Sequence, residues 1–177
     1  MQRFDRLGDR FFEQIIVDAT GAKTRGILSP PSEGDLSGQL NPPRLILRVR
    51  DESIIQTGHI IRTRSGLRYL VAEHADVEGH YRAHKLFLAN RRVTWLRSRT
   101  TEDVLTGQAK SLYDQDLGFI WVNWELIPRE ELDVNLRVTE DRIAVLTAAA
   151  VRLGDKLDGQ IVKRLNPRLG VNAVEVQ

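Results

Sequence analysis

The segment Arg44-Leu45-Ile46-Leu47-Arg48-Val49-Arg50 alternates basic and apolar side chains, and that period of two constrains the fold more than any other feature of the chain. Leu45, Leu47 and Val49 fall on one face of a strand, and Arg44, Ile46, Arg48 and Arg50 on the other. A helix would scatter both sets around its axis, so the segment reads as a half-buried strand with a basic outer face. His59-Ile60-Ile61-Arg62-Thr63-Arg64, a Ser65-Gly66 turn and Leu67-Arg68-Tyr69-Leu70-Val71-Ala72 follow as a hairpin. Phe11–Asp18 and Lys23–Leu28 form another about the turn Ala19-Thr20-Gly21-Ala22.

Further strands are expected at Lys85–Ala89, Arg92–Arg97, Gly118–Ile127 (ended by Pro128) and Val134–Val138. Helical spacing is confined to Phe4, Leu7 and Phe11, which suit a short N-terminal helix. Arg142–Leu153 is ambiguous: three consecutive alanines favour helix, while Ile143, Val145 and Thr147 alternate as in a strand. Gly154-Asp155-Lys156-Leu157-Asp158-Gly159-Gln160-Ile161-Val162 echoes Gly58–Val71 as a glycine-led hairpin, a hint of an internal repeat. Between Ser29 and Pro43 two Pro-Pro pairs bracket a Gly/Ser/Asp tract without periodicity, which excludes helix and central strand and leaves a long loop. The polar stretch 98–117, punctuated by Gly107, is the best boundary, giving modules at 1–97 and 118–177 with a linker between. The expectation is a mainly β protein.

Composition narrows the chemistry. Among 177 residues there is no cysteine, which removes disulfide scaffolds, thiolate metal sites and Cys nucleophiles together. A hydrophobic share of 41% is enough for a buried core. No apolar run approaches the roughly 18 residues of a membrane span. The start, Met1-Gln2-Arg3-Phe4-Asp5-Arg6, lacks a signal peptide's apolar region, so a soluble protein made in the cytoplasm and without membrane contact is expected. Net charge is +2, but residues 1–43 carry 5 basic and 6 acidic side chains, 44–99 carry 12 and 5, and 100–177 carry 9 and 13. All four histidines lie in the basic middle piece, which can attract a polyanion.

The catalytic inventory is thin. Glu73–His84 packs His74, His80 and His84 among three carboxylates, and His80 and His84 would share a helical face for zinc; Gly79 interrupts that segment, and a polar loop is the plainer account. Ser53, Ser65 and Ser111 sit in no Gly-x-Ser-x-Gly elbow, and no phosphate-binding glycine motif occurs. The acidic pairs Asp51-Glu52, Glu102-Asp103, Glu130-Glu131 and Glu140-Asp141 are adjacent, and adjacent strand residues face opposite ways. Trp121 and Trp124, three apart, would also face opposite sides of a strand. No catalytic residue, metal or cofactor is expected, and a binding or assembly protein remains.

Certain residues carry a resemblance: Phe4-Asp5-Arg6-Leu7, Thr24-Arg25-Gly26-Ile27-Leu28 running into Ser29-Pro30-Pro31, the loop to Pro43, Leu45–Arg50, Gly58-His59-Ile60-Ile61-Arg62 and Tyr69-Leu70-Val71. Over residues 4–97 the chain resembles the head-closure, or head-tail joining, proteins of long-tailed bacteriophages of the lambda type. The resemblance implies a small β-barrel, with the remaining eighty residues a β-rich extension on which it is silent. It further implies a homo-oligomeric ring in the virion neck, between portal and adaptor proteins on the head side and tail-terminator or tail-tube proteins on the tail side, around a channel for transient, non-specific double-stranded DNA. That family's turn carries an acid after its glycine; here His59 stands there, and Gly154-Asp155 restores the acid in the second piece.

On this reading Pro30, Pro31, Asp35, Leu36, Leu40, Pro42 and Pro43 form a docking loop, and Arg62, Arg64 and Arg68 face the DNA channel. Opposite charge on the middle and C-terminal pieces would specify the lateral contact between subunits. The alternatives are a tail-terminator or tail-completion ring protein, and a single-stranded nucleic-acid-binding barrel of the OB type with Tyr69, Tyr81 and Trp95 as stacking platforms.

Overall fold

The computed structural model describes residues 12–33, 42–78, 81–102, 109–126 and 143–177. They form twelve strands: β1 (Phe12–Val17), β2 (Lys23–Ser29), β3 (Leu45–Arg50), β4 (Ile60–Arg62), β5 (Arg68–Glu78), β6 (Tyr81–Leu88), β7 (Arg91–Glu102), β8 (Ala109–Leu126), β9 (Ile143–Thr147), β10 (Lys156–Leu157), β11 (Gln160–Arg168) and β12 (Val171–Val176). The mainly β expectation holds. The expected N-terminal helix and the Val134–Val138 strand lie outside the described residues.

The strands close into two six-stranded barrels, each antiparallel throughout. Around the first the order is β1-β2-β3-β6-β5-β4, closed by β4 against β1. Around the second it is β7-β8-β9-β12-β11-β10, closed by β10 against β7. The two orders are identical when each strand is advanced by six, so the hinted repeat is a whole barrel rather than a hairpin. Closure satisfies the edge strands that an open sheet would leave exposed.

The linker expected at 98–117 is instead strand over its described residues: Leu96 pairs with Asp116, Arg97 with Gln115, and the ladder continues to Glu102 against Ala109. The division between units falls at Ala89-Asn90, not at 97. Polarity is misleading here because Arg99, Tyr113, Asp114, Gln115 and Asp116 are exposed, so this part of the strand pair does not need the apolar alternation that marks a half-buried strand. With the boundary moved, residues 12–90 carry 10 basic and 9 acidic side chains and 91–177 carry 13 of each. The basic middle piece therefore straddles both barrels, since Arg91, Arg92, Arg97 and Arg99 belong to β7, and opposite net charge on two modules is not available to specify a lateral contact.

Three cores hold the molecule. Ile15, Val17, Leu47, Val49, Ile55, Ile61, Tyr69, Val71 and Leu86 fill the first barrel. Val93, Val122, Ile143, Val145, Val151, Leu157, Val162, Val174 and Val176 fill the second. A third, made by Leu70, Ala72 and Phe87 of the first barrel and Leu146 and Val171 of the second, joins the two. Burial of Leu47 and Val49 agrees with the alternation in β3, but Ile46, on its basic face, is buried as well. Ile143–Thr147, ambiguous between helix and strand, is strand: it lies between β8 and β12 and pairs with both.

Hydrogen bonds reinforce the junction. The Glu73 N–H donates to the Leu169 carbonyl at 2.8 Å, and Asn123 Nδ2 donates to the Leu88 carbonyl at 3.0 Å. Asn90 ties the connection down twice, donating from Nδ2 to the Trp124 carbonyl and accepting from the Trp124 N–H.

Candidate functional site: the cleft between the barrels and the β7–β8 ribbon

A cleft of about 590 Å³ opens where the barrels meet, lined by Asp18, Ala19, Gly58, His59, Ile60, Arg62 and Arg68 of the first and Arg92, Phe119 and Trp121 of the second. Strand geometry sets its second wall. Phe119 and Trp121 are two apart on β8 and share a face, and Arg92 on β7 pairs directly with Trp121. The Arg68 guanidinium sits over the Trp121 ring, 4.5 Å from its centroid, and Arg92 over Phe119 at 4.6 Å. Phe119 nonetheless remains 61% exposed.

Among the described residues Asp18 is the one carboxylate that lines the cleft. It accepts a hydrogen bond from Arg68 Nε and lies 3.5 Å from Arg62 Nε. Among the described residues Arg92 has no carboxylate partner. Among the described residues three guanidinium groups thus face one carboxylate, which gives the cleft they line a net positive charge.

The three arginines read from the sequence separate here. Arg62 and Arg68 enter the cleft, while exposed Arg64 stays at the β4–β5 turn, where its N–H donates to Glu13 Oε1 at 3.2 Å. Arg92, Phe119 and Trp121 were missed as a group, because only the docking of one barrel on the other brings them to Arg62 and Arg68.

The expected stacking platforms are occupied. Tyr69 lies in the first core, where burial first and the Glu13 carboxylate second push its phenol up from the usual value. Tyr81 packs near Phe12 with ring centroids 6.5 Å apart. Trp95 packs on the second core, donates Nε1–H to Asp155 Oδ2 at 2.8 Å, and has Arg97 over its ring. Trp124 lies under Arg91, 4.5 Å from its guanidinium.

Of the docking loop, Pro30 is exposed, Pro31 and Pro42 are half-buried and Pro43 is buried, while Asp35, Leu36 and Leu40 lie outside the described residues. His84 is buried on β6, opposite Leu47 and Glu73, so the helical face proposed for it with His80 does not form; His80 is outside the described residues. Among the described residues no group of three His, Asp or Glu side chains is placed to hold a metal ion.

The second surface is the β7–β8 ribbon. β10 pairs with β7 only at Trp95 and Leu96, and β9 pairs with β8 only from Asn123 to Leu126. From Arg97–Gln115 to Glu102–Ala109 the two strands therefore pair with each other alone among the described residues. Six residues of strand reach about 20 Å beyond the barrel. At the root, Arg97 is clamped by Asp155 Oδ1 and Oδ2 at 3.0 and 2.9 Å and by the Ala150 carbonyl. Further out, Ser98 Oγ and Lys156 Nζ both donate to Asp114, and Tyr113 is 51% exposed.

Comparison of the chain with protein-family models, with curated proteins and with solved structures finds no match.

Proposed function

We propose that the protein is a structural component of a tailed-phage virion: a ring-forming head-tail connector of the neck that closes the head, surrounds the DNA path and docks the tail. The observation that carries this reading is the β7–β8 ribbon. A two-stranded ribbon is marginal in water on its own, and its open edges are templates for pairing with another chain. A long ribbon rooted by a buried ion pair and projecting from an otherwise closed barrel suits a subunit that reaches its neighbour in a ring. Support also comes from the pattern of Thr24–Pro31, Leu45–Arg50 and Gly58–Arg62, which resembles the head-closure proteins and lies in a closed barrel.

On this reading the portal or adaptor and the tail-terminator or tail tube are the axial partners, and Pro30–Pro43 is the docking loop. Arg62 and Arg68 share Asp18, and such partial neutralisation suits DNA that must slide, because each tight phosphate contact adds affinity through counterion release. The test is a phage carrying a deletion of this chain. The expected particles are filled heads that leak DNA and carry no joined tails, and image averages of complete particles show the protein as an annulus at the neck. Tailed, DNA-retaining particles from the deletion would refute the proposal.

A further inference from the structure

We infer that the cleft between the barrels binds a nucleotide unit of single-stranded nucleic acid, with Arg92 and Arg62 on the phosphate and Phe119 beneath the base. The inference stands on the cleft itself and does not depend on the connector reading.

Its volume, about 590 Å³, lies within the range of small-ligand pockets, roughly 300–1,000 Å³. Its charge calls for an anion. Arg68 is committed to Asp18 and Trp121, which leaves Arg62, 3.5 Å from Asp18, and Arg92, with no carboxylate among the described residues, to meet one. A guanidinium presents a planar fork of donors that matches phosphate oxygens, and placing it over an aromatic ring presets its position.

The aromatic part selects the kind of anion. Phe119 stays 61% exposed although Arg92 covers one face of its ring, and a nucleobase is the flat partner its other face can take while the attached phosphate reaches Arg92. An acidic peptide would use the arginines and leave the ring wet. In a duplex the bases stack on one another and cannot reach Phe119, so the preference is for single strands. Base stacking of this kind tolerates any sequence.

The experiment titrates the full chain, at low salt, with a short oligothymidylate and with a duplex of equal length, following tryptophan emission and oligonucleotide anisotropy. The expected result is single-strand binding that quenches Trp121, is lost progressively with salt, and exceeds duplex binding. Phe119→Ala weakens it at least fivefold, Phe119→Trp preserves it, and Arg92→Ala weakens it at least tenfold. Lys163→Ala, an exposed cation on β11 that does not line the cleft, leaves it unchanged. Urea midpoints of the variants establish that they are folded, which is expected since all three altered side chains are exposed. Absence of oligonucleotide binding would overturn the inference. So would equal loss in Lys163→Ala and Arg92→Ala, or duplex binding as tight as single-strand binding with Phe119→Ala silent. None of these outcomes bears on the annulus or on the deletion phenotype, so the two proposals fail separately.

Discussion

His59 and Asp155 occupy the same place in the two barrels. Each follows a glycine of positive φ, Gly58 at 89° and Gly154 at 84°. Each accepts a hydrogen bond from the main-chain N–H three residues earlier: Gln56 N–H to His59 Nδ1 at 3.2 Å, and Arg152 N–H to Asp155 Oδ2 at 2.9 Å. The glycines donate to Val71 and Val162, and those valines donate back to the His59 and Asp155 carbonyls. One turn has thus been kept with two different acceptors, and their surroundings explain the difference. His59 lines the open cleft, whereas Asp155 is buried at the ribbon's root and needs a full charge to hold Arg97.

The two substitutions should therefore differ in cost. Asp155→Asn puts an amide donor among the donors of Arg97, Trp95 and Arg152 and leaves Arg97 without its counter-charge, a loss of about 3 kcal/mol. His59→Ala removes one partly solvated bond, about 0.5–1 kcal/mol. Urea denaturation of both variants checks the ranking, and equal losses would contradict the assignment of Asp155 as a buried anchor.

Acid should loosen the second barrel through the same residue. Burial works against the charged Asp155 carboxylate, but the hydrogen bonds from Arg97, Trp95 and the Arg152 N–H, with the Arg97 charge, outweigh it and hold the carboxyl below its usual range. A lowered folded value means the stabilisation is complete above the unfolded value of about 3.9 and is lost as pH falls through the folded one. Unfolding midpoints measured from pH 7 to 2.5 should fall below about pH 4, and Asp155→Asn should flatten that limb. Asp114 is also held low, by its bonds from Lys156 and Ser98, but it is exposed and contributes little.

The shared core predicts one unfolding transition. All three tryptophans, Trp95, Trp121 and Trp124, lie in the second barrel, so their emission reports mainly on it, Trp121 also sensing the first barrel through Arg68, whereas far-ultraviolet circular dichroism reports on both equally. In urea the two signals should coincide, because Leu70, Ala72 and Phe87 cannot stay buried once Leu146 and Val171 are gone. Leu146→Ala should cost about 2–5 kcal/mol and pull the two curves apart. Separate transitions in the unaltered protein would show that the barrels fold independently.

How much of this was legible follows from what a strand writes into sequence. Where one face meets a core, as in Leu45–Arg50 or Ile60–Ala72, alternation and turn glycines located the strands closely. Where a two-stranded ribbon pairs with no other strand among the described residues, as from Arg97–Gln115 to Glu102–Ala109, nothing enforces alternation, and polarity reads as a linker. The repeat was visible at Gly58 and Gly154 because backbone geometry demands glycine there, but the rest of the second barrel shares topology with the first, not spelling. The cleft was half-legible: Arg62 and Arg68 flank a turn that the sequence marks, while Arg92, Phe119 and Trp121 join them only through the third core, a contact between residues such as Leu70 and Leu146 that no local pattern announces.

A close approach of the two barrels at Gly170 supplies the last prediction. The β10–β11 and β11–β12 turns are both two-residue turns with positive φ throughout, Asp158-Gly159 at 49° and 82° and Leu169-Gly170 at 50° and 72°. A Cβ on Gly159 would meet nothing within 4 Å, whereas one on Gly170 would stand 2.5 Å from Thr57 Cγ2 and 3.0 Å from Glu73 Oε1, both in the first barrel. Alanine at either site incurs the left-handed backbone cost, about 1–2 kcal/mol. At Gly170 it must also displace Thr57 and strain the bond from Glu73 N–H to the Leu169 carbonyl, adding about 1–3 kcal/mol. Gly170→Ala should therefore be the more destabilising by that margin in urea, and should separate the fluorescence and dichroism curves where Gly159→Ala keeps them together. Equal costs, with both variants unfolding in one step, would mean that the barrels are not seated on each other at this turn.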